Sequence, residues 1–156
     1  LSGDSSSRLF RRLREENGLV YNVDAAAMEY LSTGVFALST GFSAENADKV
    51  ISVIRSEIYD ILQNGVTEQE TMRTKRNIVA SLELESESTM SVMASGGKRL
   101  LYGIELNSDE IKNKYLSVSR EDIQSAAKAA FSDKTKEAVA VIGDCGSIES
   151  FSIIVL

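Results

Sequence analysis

A chain of 156 residues with 43% hydrophobic and 26% charged residues has the composition of one globular domain with a packed core. Its 17 Lys and Arg against 23 Asp and Glu leave a net charge of −6 and no basic run, which argues against nucleic acid or an anionic membrane as a partner. One cysteine and no histidine exclude an internal disulfide, the Cys–His and Ser–His nucleophile pairs, and every zinc site built on imidazole.

The apolar stretches fall short of the roughly 20 residues that span a bilayer. No signal peptide is visible, and the chain opens at Leu1 without a methionine. Cys145, in the turn Gly143-Asp144-Cys145-Gly146, reads as an inert thiol and suits a reducing, cytoplasmic setting. The expected organisation is a single domain over 1–156, with a core over 1–143 and a tail over 144–156.

Ser5 to Glu16 reads as a short helix, capped by Ser5 or Ser6, with Leu9, Phe10 and Leu13 on one face and Asn17-Gly18 as its stop. Leu19 to Ala27 alternates as a strand, with Leu19, Tyr21, Val23, Ala25 and Ala27 on one side. Gly34 to Phe42 is a second strand, and the short link between them predicts an antiparallel pair. Ser43 then caps a helix whose Val50, Ile51, Ile54, Ile58, Ile61 and Leu62 follow helical spacing to Asn64-Gly65.

Thr67 with Glu70 is a capping box that opens the next helix, and the acidic end of that helix (Glu83, Glu85, Glu87) reads as a solvated face. Residues 88–103 read as a helix broken or bent at Gly96-Gly97, a pair that lacks the pattern of a phosphate loop. Met72, Met90 and Met93 read as core fillers. Asn107 or Ser108 starts a further helix, Ser119 with Asp122 another, and Ala138 to Ile142 reads as a buried strand. Runs of like elements indicate α+β: helices packed on one face of a mainly antiparallel sheet.

The segment from Ser6 to Tyr21, SSRLFRRLREENGLVY, carries the pattern SRLF-x-x-LRE-x-x-GLxY. With it, the chain resembles the C-terminal half of pitrilysin/insulinase-like zinc peptidases, including the mitochondrial processing type. Gly65-Val66-Thr67-Glu68-Gln69-Glu70 and Val118-Ser119-Arg120-Glu121-Asp122-Ile123 are similar to later landmarks of that family, in the same order.

The resemblance implies a partner half carrying H-x-x-E-H and zinc, no cofactor in this chain, a peptide substrate, and a half that is inactive alone. It also implies a site pair, Arg14 as substrate clamp and Tyr21 as oxyanion or carbonyl donor, seven residues apart. A phenol beside the developing oxyanion stabilises the transition state by about 3 kcal/mol, and a guanidinium forks onto peptide carbonyls. On alternation alone Tyr21 reads as a core residue. Arg14 alone reads as a surface ion-pair member, and Arg11 and Arg12 as solvated.

A complete half of the family has a further strand and helix ahead of SRLF, so the expectation is an open strand edge and self-association, reinforced by the apolar Ser152-Ile153-Ile154-Val155-Leu156. Two other readings stand beside the peptidase half: a non-proteolytic structural or assembly subunit of the same family, and an unrelated α+β binding module.

Overall fold

A computed structural model of the chain describes residues 1, 3–105 and 107–143; Cys145, the 144–156 tail and its apolar end lie outside the described residues. The chain divides into two compact units, Leu1–Asn64 with Ser125–Leu156, and Gly65–Gln124.

The first unit opens with a π-helix, Phe10–Glu15, in which the N–H of Glu16 donates to the carbonyl of Arg11. Two strands follow, β1 (Val20–Glu29) and β2 (Gly34–Phe42), paired antiparallel as the short link predicts. A 3-10 turn, Ala44–Asn46, leads into α1 (Ala47–Asn64). Ser43 stands at the cap position without a side-chain hydrogen bond: the 3-10 turn begins there, and the N–H of Asn46 takes the Ser43 carbonyl.

The core lies between the π-helix, the start of β1 and the apolar face of α1. Leu9, Leu13, Val20, Val23, Val50, Ile54 and Ile58 are its buried members, with Leu38 and Phe42 of β2 packed against them. Phe36 of β2 meets Phe131 edge-on with ring centroids 5.3 Å apart, a geometry that adds about 1 kcal/mol beyond area burial.

The second unit is helical: α2 (Glu68–Glu87), α3 (Thr89–Tyr102), α4 (Ser108–Ser117) and the start of α5 (Arg120–Phe131). Both halves of the Thr67–Glu70 capping box are present, and Asn107 with Glu110 forms a second. α3 runs unbroken through Gly96-Gly97 and ends at Gly103, whose φ of 66° is left-handed. Its Met90 and Met93 are exposed, as is Met72 of α2, so the methionines do not fill a core within the described residues. Lys75 Nζ donates to the Leu116 carbonyl and Arg120 Nε to that of Val66, both at 2.7 Å, tying α2 and its approach to α4 and α5.

Ala138 to Ile142 is neither buried nor paired as a strand. Apolar, β-branched residues fit a pleated surface, but a strand exists only where a neighbour takes its N–H and C=O groups. No helix among the described residues is long and apolar enough to cross a membrane.

Candidate functional site

Along the helical stretch that runs from Arg8 into the π-helix, side chains four apart fall into three stripes. Leu9 and Leu13 form the first, fully buried in the core. Arg8 and Arg12 form the second, turned to α1: Arg12 Nη1 donates to Glu57 Oε1 at 2.8 Å, while Arg8 donates to Asp60 and lies 4.0 Å from Glu57 Oε2. Phe10 and Arg14 form the third, with the Arg14 guanidinium carbon 5.2 Å from the centroid of the Phe10 ring. That cation–π contact steadies the side chain without occupying its hydrogen-bond donors.

Arg14 is therefore not the surface ion-pair member that its neighbours suggest. Arg8, Arg11 and Arg12 each face a carboxylate, whereas Arg14 faces none among the described residues. Arg12 is corrected in the other direction: its side chain is 40% exposed and clasped to a buried acid, because α1 presents Glu57 to it.

The helix closes at Gly18, with φ 59°. Gly18 N–H donates to the Arg14 carbonyl and Leu19 N–H to that of Leu13, at 3.1 and 2.8 Å. This is the two-bond clasp of a left-handed glycine stop, each bond widened by one residue as the π-turn requires. The backbone leaving the helix is thus bonded directly to the backbone entering β1.

Tyr21 sits at a bulge in β1. Val20 pairs with Phe42 and Asn22 with Gly41, so Tyr21 is the extra residue between successive partners. The bulge resets the alternation: Val20 and Val23, three apart, both point into the core, and Tyr21 is 75% exposed. Alternation alone placed Tyr21 in the core because it carries no signal for an inserted residue. Thr40 Oγ1 donates to the Asn22 carbonyl at 2.8 Å beside the bulge. A Cβ on Gly41, opposite, would lie 2.7 Å from Asn22 Oδ1, so the small residue there makes room for the bulged strand.

Two irregularities thus flank one turn, each adding a residue and each containing an expected site residue. Glu57 was missed in the sequence, although a signal exists: it lies between Ile54, Ile58 and Ile61 on the apolar face of α1 and is only 6% exposed. Among the described residues no group of three or more His, Cys, Asp or Glu can hold a metal. Without histidine, the donors of this chain do not fit a catalytic zinc.

Residues 1–78 match the family described as the peptidase M16 inactive domain. The chain belongs to that family. The uncharacterized zinc protease YmxG of Bacillus subtilis is 32% identical to this M16 inactive domain over 96% of the chain and 36% of the relative. The mitochondrial-processing peptidase subunit alpha-2 of Dictyostelium discoideum is 30% identical over 93% of the chain and 32% of the relative. The chain spans about a third of the length of these curated relatives. The fold is that of a peptidase M16 inactive domain from Pseudomonas fluorescens, with a TM-score of 0.73, 22% identity, and cover of 82% of this chain and 31% of that one.

Proposed function

We propose that this M16 inactive domain binds peptide substrate opposite a zinc-bearing half, with Tyr21 donating to the oxygen of the scissile carbonyl and Arg14 holding neighbouring carbonyls. The zinc half supplies the activated water. This chain supplies hydrogen bonds that are already oriented when negative charge builds on the substrate.

One observation carries the reading: Tyr21 is turned out of the pleat at a bulge, on the far side of a clasped turn from an arginine that no carboxylate among the described residues occupies. A solvent-facing phenol exchanges its bond to water for one to substrate when the peptide arrives. A guanidinium held over a ring keeps its donors for a carbonyl or carboxylate from outside. Donation that strengthens as the carbonyl oxygen gains charge lowers the barrier, whereas equal binding of substrate and transition state does not. Clamping the backbone to either side fixes the reacting bond in register.

The test is reconstitution with a matching zinc-containing half and measurement of peptide cleavage. Tyr21→Phe is expected to lower kcat about 100-fold with little change in KM, the loss typical of one oxyanion donor. Equal activity of Tyr21→Phe and wild type sinks the assignment. Cleavage absent with wild type as well as variant favours the structural or assembly subunit.

A further inference from the structure

A carboxylate on the apolar face of a helix costs several kcal/mol to bury unless it is paired. Glu57 is 6% exposed, among isoleucines; one oxygen accepts from Arg12 of the π-helix and the other lies 4.0 Å from Arg8, in the turn that leads into it. Arg8 and Arg12 stand four residues apart, so one acid grips the helix at two points along one stripe. Leu9 and Leu13 hold the same helix to the core, but apolar contact is non-directional and leaves rotation about the helix axis soft. The charged hydrogen bond from Arg12 is directional.

We infer that Glu57 is a positioning residue: by fixing the rotation of this helix through Arg12 and Arg8, it keeps Phe10 at the edge of the core and turns the Arg14 guanidinium above it outward, ready for substrate. Its part in substrate binding rests on the function proposed above; its part in ordering Arg14 does not. Neither oxygen of Glu57 is left for substrate, and its burial keeps it from the solvent side where Tyr21 lies.

The test has two readouts. The first is the order of the Arg14 Nε–Hε group by 15N relaxation of this chain, in wild type, Glu57→Gln and Arg12→Gln. Arg12→Gln acts from the half-exposed side of the pair, and it serves if Glu57→Gln does not fold. Either folded variant is expected to lower the order parameter of Arg14 while the amides of β2 stay as rigid as in wild type. Unchanged order at Arg14 overturns the inference.

The second readout is KM opposite the zinc-bearing half. Glu57→Gln is expected to raise KM about tenfold with kcat nearly unchanged, and Glu57→Gln with Arg14→Ala to be no worse than Arg14→Ala alone, because the two act through one group. Additive losses overturn the inference in favour of general destabilisation. If Arg14 loses order in the variants but Arg14→Ala leaves KM unchanged, the positioning stands and the clamp role of Arg14 falls.

Discussion

A residue inserted into one strand of a hairpin leaves the pleat, and in β1 that residue is Tyr21. Its exposure and the burial of Val20 and Val23 are one event, since the same insertion turns one side chain out and keeps two in. The neighbouring glycine is as constrained: Gly18 has φ 59° and closes the π-helix through two backbone bonds. Gly18→Ala is predicted to cost about 1 kcal/mol, the penalty of a Cβ in the left-handed region, seen as a lower midpoint in a thermal melt. Leu13→Ala, at a fully buried site in the same helix, is predicted to cost about 2–5 kcal/mol in a denaturant titration. Leu13 was legible from spacing. Glu57 was not, because a pattern scored on apolar positions passes over an acid that completes the apolar face by pairing with two arginines distant in sequence.

Among the elements, those whose signals are local were read directly. Thr67 with Glu70 is a cap written within four residues, and it forms; of Asn107 and Ser108, the two starts the sequence allows, Asn107 is the cap, in a box with Glu110. Both limits of β2, Gly34 and Phe42, were legible, since its two ends are glycine and the entry to a helix. Ser119 and Asp122 also cap as read: Ser119 N–H and hydroxyl both donate to the Asp122 carboxylate at 2.8 Å.

Those bonds, the backbone one foremost, hold the Asp122 carboxyl below the usual carboxylate range. A depressed acid stabilises the fold above its unfolded value, and that contribution is lost as pH falls through the lower folded value. Amides in the first turn of α5 are therefore predicted to exchange faster as pH drops below about 4, after correction for intrinsic rates. Asp122→Asn should abolish this pH dependence. Elements that depend on distant partners were misread. The Ala138–Ile142 run has strand propensity but no strand partner among the described residues, and α3 runs through Gly96 and Gly97, where no described atom lies within 4 Å of an added Cβ.

At the scale of the molecule, every buried hydrophobic side chain among the described residues belongs to the first unit. The second unit half-buries Ile78, Val79, Leu82, Ile111 and Ile123 and leaves others in solvent, Leu100 of α3 at 86% and its neighbour Leu101 nearly as much. Exposed large side chains on one helix are a liability for a protein alone. The chain in isolation is predicted to self-associate with rising concentration in sedimentation velocity, and Leu100→Lys with Leu101→Lys to shift it towards monomer. The α+β class was legible because it depends on the order of elements. The division into two units was not, since the periodic spacing of α2 and α3 is the same whether an apolar face meets its own core or awaits another surface.

In the proposed function, the exposed phenol of β1 meets charge that appears only during the reaction. The most direct measurement is the affinity of a phosphonamidate peptide, a mimic of the tetrahedral intermediate, for the chain reconstituted with a zinc-bearing half, beside that of an uncleaved peptide of the same sequence. Tyr21→Phe is predicted to weaken the phosphonamidate about 100-fold and to leave the plain peptide nearly unchanged. An equal change in both, or none in either, would contradict it.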